Sequence, residues 1–287
     1  MTLVLMHSTR FVSALGKQFH VNVAWLLPSF TFTFTIVLFR IVMHRYYLMR
    51  HLQFRVRRLP CQILDQQEVM ESLKMQREVV KICPEVVSCA DILAVAARDA
   101  STVVGGPSST VKLGRRDSTS ASKTIAETDL PNPFDPLDRL ISSFSSKGLN
   151  ARDMVALSVA HTIGQAYCFL FRDRIYGNGT DIDAGFASTR RRQCPQKGEN
   201  GNLAPLDLVT PNQLDNNYFK NLIDGKGLLQ SDQVFFSGGS TDSIVSEYSN
   251  SPRAFSSDFV VSMIKMEDIS PLTGQNGIKK KVCGSVN

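Results

Sequence analysis

Val155–Cys168 reads VALSVAHTIGQAYC, and the reading of this stretch decides the fold. Upstream of it, Asn150 is a side-chain acceptor three residues before Asp153, and Gly164 is a helix stop. The spacing predicts a helix from Asn150 through MVALSVAHTI to Gly164. Met154, Leu157, Ser158 and His161 fall at i, i+3, i+4 and i+7, so one face carries them all. Taken alone, a histidine at the end of an apolar face is a hydrogen-bonded core residue.

Helical punctuation extends to both sides. Ser88-Cys-Ala-Asp91 is a capping-box-like start, ILAVAARDASTVV follows, and Gly105-Gly106-Pro107 stops it. A second helix is predicted from Asp135, with Pro136 at its first position, a stripe of Leu137, Leu140, Ile141 and Phe144, and a stop at Gly148. Further helices are predicted over 215–222, 243–248 and 253–266. Few segments alternate with period two, so the fold class is all-α with long, ordered loops.

The chain has 287 residues, 43% hydrophobic and 20% charged, which excludes collagen, coiled coil and wholesale disorder. Its formal charge of +6 is misleading, because residues 1–60 hold eight Lys/Arg and no acidic residue. The remainder holds 24 basic and 26 acidic residues, which removes the case for nucleic acid as a partner. The charge break divides the chain into a basic, apolar segment, 1–60, and a globular part, 61–287. Within the first, residues 21–43 contain an uncharged run at the lower edge of a membrane span. Three readings stand: a membrane anchor, an uncleaved or displaced secretory signal, or sequence foreign to the fold.

VALSVAHTIGQAYC does not stand alone. Together with VSCADILAVAARD, GGPSSTVKLGRRDS, DLPNPF, TPNQLDNNYF, GLLQSDQVFF and MIKMEDISPLTG, in this order, it resembles the secreted plant (class III) haem peroxidases. The likeness covers residues 62–287. It implies the haem peroxidase-like helical fold, haem b, H2O2-driven one-electron oxidation of phenolic donors, a response to oxidative stress, a monomer and a secreted glycoprotein. His161 is then the axial ligand of the haem iron and Asp232 the carboxylate that orients it. A carboxylate behind an axial imidazole fixes its tautomer and makes it a stronger electron donor. Thr162, Asp207, Thr210 and Asp215, with the carbonyl of Gln213, are the implied ligands of one proximal Ca²⁺, and hard oxygen donors suit that ion. Pro131 is the implied contact for the reducing substrate, and Asp91 with Arg115 a buried structural ion pair.

Of the six cysteines, the resemblance pairs Cys89 with Cys283 and Cys168 with Cys194, which points to an oxidising compartment. Cys61 and Cys83 either pair with each other or are free thiols. Asn178-Gly179-Thr180 is an N-glycosylation sequon. If the apolar run is a membrane anchor, the basic flank at 40–58 that follows it would keep the C-terminal part cytoplasmic, against the cysteine reading.

The family's other catalytic half is a helix bearing Arg-x-x-Phe-His-Asp-Cys with a second calcium loop, and it is not found in this sequence. The five histidines are His7, His20, His44, His51 and His161, so the peroxidase-like part holds His161 alone. Arg50-His51-Leu-Gln-Phe54 has similar residues in the wrong order. Val159 and Glu267 stand where the family has Gly. The expected fold therefore lacks its N-terminal helices and the expected activity is impaired. The alternative reading is a non-catalytic truncated remnant or a mis-assembled gene product, and a weaker one is a calcium-dependent helical module without haem.

Overall fold

The computed structural model describes residues 85–120 and 129–281. The segment 1–60, with its candidate anchor at 21–43, lies outside them, as do Cys61, Cys83 and Cys283. No helix among the described residues is long and apolar enough to cross a membrane.

Helix α1 spans Cys89–Val103. Ser88 caps it by accepting from the Asp91 N–H, but Asp91 does not reciprocate; its carboxylate instead accepts the backbone N–H groups of Gly114 and Arg115 at 2.9 and 3.1 Å. Helix α2 spans Leu137–Ser145. Pro136 is its extended cap rather than its first helical residue, because Asp135 closes a turn with the Asn132 N–H instead of starting the helix. Helix α3 spans Ala151–Ser158 and has a full capping box between Asn150 and Asp153.

The chain then departs from the sequence expectation. The α-helix does not run to Gly164: it tightens into a 3₁₀ turn over Val159–Thr162. Ser158 contributes by bonding back to the Met154 carbonyl at 2.9 Å, a contact that competes with the regular ladder. Gly164 at φ +94° turns the chain out of the helix, a conformation that glycine adopts without strain.

Strand β1, Gln165–Tyr167, pairs antiparallel with β2, Leu203–Pro205. Between them lie α4, Arg172–Tyr176, and α5, Ala184–Gln193. Then follow α6 (Asn217–Ile223), the short α7 (Gln230–Gln233), α8 (Asp242–Asn250) and α9 (Pro252–Glu267). Sequence patterning did not indicate α4, α5 or α7. The first and last have only five and four residues, too few for a period to emerge. In α5 the run Thr189-Arg-Arg-Arg-Gln193 hides the buried side of the helix.

Two apolar clusters hold this together. The larger joins Met154, Val155 and Leu157 of α3 to Phe219 of α6, Tyr248 of α8 and Phe255, Phe259 and Met263 of α9. Phe219, Tyr248 and Phe255 meet at centroid distances of 5.1–6.0 Å with tilted or edge-on planes, the preferred aromatic geometry. The smaller cluster packs Leu170, Phe171, Ile175 and Phe186 around the Cys168–Cys194 disulfide, whose Cα atoms are 5.5 Å apart. Cys89 is also disulfide-bonded. In sequence, His161 lies between Ala160 and Ile163 of the larger cluster, with Ala166 of the smaller one following. Truncating Phe255, which is 2% exposed at the centre of the aromatic group, should cost about 3–5 kcal/mol of stability, measured by denaturant unfolding against the parent chain.

Candidate functional site

The 3₁₀ turn that carries His161 is gripped on both sides. Val159, Ala160 and Thr162 are completely buried, whereas the His161 side chain keeps 18% of its surface exposed. Its Nδ1 lies 2.7 Å from Asp232 Oδ1. The same oxygen accepts the Tyr218 hydroxyl at 2.9 Å. Nε2, the other ring nitrogen, meets no hydrogen-bond partner among the described residues.

Asp232 is 3% exposed, so these donors replace the water its carboxylate has lost. Its short helix is pinned by the Ser231 N–H donating to the Pro133 carbonyl at 3.1 Å. Gln233 braces it from behind: its Nε2 donates to the Leu222 carbonyl at 2.9 Å and its Oε1 accepts the Gly227 N–H at 3.0 Å. Burial pushes the His161 imidazole down, but the charge of Asp232 and its hydrogen bond together lift it above 6.5. Burial and the same carboxylate hold Tyr218 well above 10, so its hydroxyl remains a donor.

Sequence reasoning paired His161 with Asp232 only through resemblance, and it missed Tyr218. No local signal marks that tyrosine, since α6 brings it to Asp232 across 14 residues of sequence.

One residue beyond His161, the Thr162 hydroxyl lies 2.8 Å from Asp207 Oδ2 and 3.1 Å from the Gln213 carbonyl oxygen. Asp207 Oδ1 accepts the N–H groups of Val209 and Thr210 and the Asn221 amide at 2.7, 3.2 and 2.8 Å. Thr210 Oγ1 meets Asp215 Oδ1 at 3.1 Å, and Asn217 bridges both. The donor chemistry is hydroxyl, carboxylate and carbonyl oxygen throughout, which fits Ca²⁺ and not a softer ion. Among the described residues no three His, Cys, Asp or Glu side chains are grouped to hold a metal, because this set has only two carboxylates. Both already accept hydrogen bonds that a cation would displace. Arg190, 3% exposed, also feels the charge of Asp207; burial lowers its guanidinium to about 10 against that attraction.

Pro131 is half-buried between exposed Leu130 and Phe134. The Pro133–Ser231 bond ties this loop to the helix of Asp232. Asp91 and Arg115 face each other at 3.6 Å, both buried. Asn178 of the sequon is exposed. Cys89 lies apart at the start of α1, and Cys283 lies outside the described residues. His161 is the only histidine among the described residues.

A family model described as Peroxidase matches residues 63–251. The lignin-forming anionic peroxidase of Nicotiana sylvestris is 85% identical over 212 residues, which cover 74% of this chain and 66% of that relative. Peroxidase 5 of Arabidopsis thaliana is 63% identical over 216 residues, 75% of this chain and 67% of the relative. Peroxidase P7 of Brassica rapa subsp. rapa is 59% identical over 211 residues, 73% and 71% of the two chains. The chain thus spans about two thirds of the length of the relatives it matches.

Replacing Asp232 by Asn should drop the His161 pKa to below 6.5, since burial then acts without its counterweight. NMR titration of the imidazole in the haem-free chain measures this; a value still above 6.5 would assign the upward pull to another group.

Proposed function

This chain belongs to the plant (class III) peroxidase family, and from that premise we propose that it binds haem b through His161 and acts as an impaired peroxidase. The carrying observation is the Tyr218–Asp232–His161 chain of hydrogen bonds at 2.9 and 2.7 Å. It holds the proton on Nδ1 and leaves Nε2 free in a partly exposed position, as an axial ligand requires. Bound haem would supply the redox chemistry with H2O2, with one-electron oxidation of phenolic donors as the reaction.

The residues of this chain then do four things. His161 binds iron through Nε2. Asp232 keeps the imidazole oriented and electron-rich. Tyr218 neutralises part of the Asp232 charge and so limits how basic the imidazole becomes. Thr162 and Asp207, with Thr210, Asp215 and the Gln213 carbonyl, hold one Ca²⁺ that locks the backbone beside the iron ligand. The loop of Pro131, tied to Asp232 through Pro133, is the place for the phenolic donor. Cys168–Cys194 and exposed Asn178 support a secreted, glycosylated protein in an oxidising compartment; a monomer active against oxidative stress completes the reading.

Impairment follows from what the family's reaction needs on the opposite face of the haem. A general base there is typically worth about 10²–10⁴ in rate, and a cationic donor to the departing oxygen contributes a comparable factor. His7, His20, His44 and His51 lie outside the matched span 63–251, and none of them stands in an Arg-x-x-Phe-His-Asp-Cys motif. That observation also favours the second reading, a haem-binding chain with no turnover.

Reconstitution of the full-length chain with hemin tests the proposal. A Soret band is expected, and His161→Ala should abolish it; an unchanged spectrum in the variant removes the ligand assignment. Guaiacol oxidation should run orders of magnitude below that of an intact relative, and undetectable turnover with a normal Soret band selects the second reading. Calcium should raise the unfolding temperature of the parent chain, and Asp215→Asn should erase that gain. Equal melting in calcium and in EGTA would remove the metal assignment.

A further inference from the structure

We propose that Glu267 is the proton-operated element of a buried clasp, formed with Arg115 and Asp91, that holds the C-terminal strap 268–281 more firmly on the acid side of neutrality than on the alkaline side. The inference does not depend on haem or calcium.

The strap leaves α9 at Glu267 and lies along residues 115–117. The Arg116 N–H donates to the Leu272 carbonyl, and Asp117 and Ile278 exchange backbone hydrogen bonds, all at 2.7–3.0 Å. The Asp117 carboxylate also accepts the N–H groups of Cys89, Ala90 and Lys280. The strap, the 112–118 loop and the start of α1 are therefore one unit. Gly277 permits the close approach: a Cβ there would sit 2.7 Å from the Asp117 carbonyl oxygen.

Beneath this unit, Arg115 is 7% and Glu267 3% exposed. Arg115 donates from one terminal nitrogen to Glu267 Oε2 at 3.1 Å and to the Glu267 carbonyl at 3.3 Å. Its other terminal nitrogen donates to the Lys112 carbonyl and lies 3.6 Å from Asp91 Oδ1. Arg115 Nε and Glu267 Oε1 are both buried without a hydrogen-bond partner.

One guanidinium thus stands between two carboxylates in a dry place. With Glu267 ionised the group carries a net negative charge and one of its charged oxygens is unsolvated. A proton on Glu267 leaves a balanced Asp91–Arg115 pair, and a neutral carboxyl costs less to bury than a charged one. The other charges facing the clasp do not cancel this. Asp268, next in the chain, is repulsive but is paired with Lys112. Arg98 of α1 attracts Glu267 but is bonded to Asp99. Burial accordingly pushes the Glu267 carboxyl up from 4.5 to about 7, against the pull of Arg115. A folded value above the unfolded one means the folded chain holds the proton more tightly. This contribution is complete below about 4.5 and is lost as pH rises through about 7.

The test compares unfolding of the full-length chain with that of Glu267→Gln, a neutral side chain of the same shape, between pH 4.5 and 8. His161 titrates in both proteins and drops out of the comparison. The folding constant of the variant relative to the parent should grow about a hundredfold as pH rises through this window, at most tenfold per unit, and level off above pH 7. A ratio independent of pH, or one that falls as pH rises, overturns the proposal; the latter would mean that ionised Glu267 stabilises by pairing with Arg115. Should the variant fail to fold, amide exchange of the parent chain decides. Protection at Asp117, Ile278 and Lys280, corrected for intrinsic rates and referred to core amides of α3, should fall between pH 6 and 8, and unchanged relative protection overturns the clasp.

Discussion

A single carboxylate oxygen, Oδ1 of Asp232, accepts from both His161 and Tyr218 in a place water does not reach. A buried charge persists only if its partners are held in place, so the surroundings serve to fix three donors and acceptors that come from three different elements. The 3₁₀ turn presents the imidazole, α6 presents the phenol, and α7 presents the carboxylate while being braced by Gln233 and Pro133. The aromatic packing of Phe219, Tyr248 and Phe255 ties α6, which carries the phenol, to α8 and α9. Removal of the carboxylate would leave two donors facing each other in an apolar wall.

The oxygen cluster next to Thr162 extends the same constraint. His161 and Thr162 are adjacent in the chain but face opposite ways, one to Asp232 and one to Asp207. The backbone between them is therefore anchored from two sides by side chains 71 and 45 positions further on. A cation bound there would act on the imidazole only through this shared peptide. Arg190 places a positive charge in the same region and interacts electrostatically with Asp207.

Much of this was legible in the sequence, though unevenly. The α3 capping box, the Ser88 cap and the apolar stripe of α2 were readable because caps and 3.6-residue periods are local signals. The tightening of α3 ahead of His161 was not, since it depends on the Ser158 hydroxyl choosing the Met154 carbonyl. The motif order pointed to the family, and the comparisons established it. Resemblance also placed His161 and Asp232 together, whereas periodicity would have left His161 as a core residue. Tyr218 and Asn221 escaped notice because their roles arise from tertiary approach between residues of unrelated pattern. Glu267 was visible only as a departure from the family's glycine; that it meets Arg115 across 152 residues could not be read from either position.

The bond between Cys168 and Cys194 spans a stretch that includes the most open part of this region. Gly177, Asn178, Gly179 and Thr180 are exposed in sequence between α4 and α5, inside the ring closed by the two sulfurs. An endoprotease acting there would sever the backbone without separating the pieces. The portion bearing His161 and Thr162 would stay stapled to the portion bearing Asp207, Tyr218 and Asp232, so a nicked molecule would migrate as one species until a reductant split it. The crosslink thus protects the integrity of the assembly against damage in the loop it encircles.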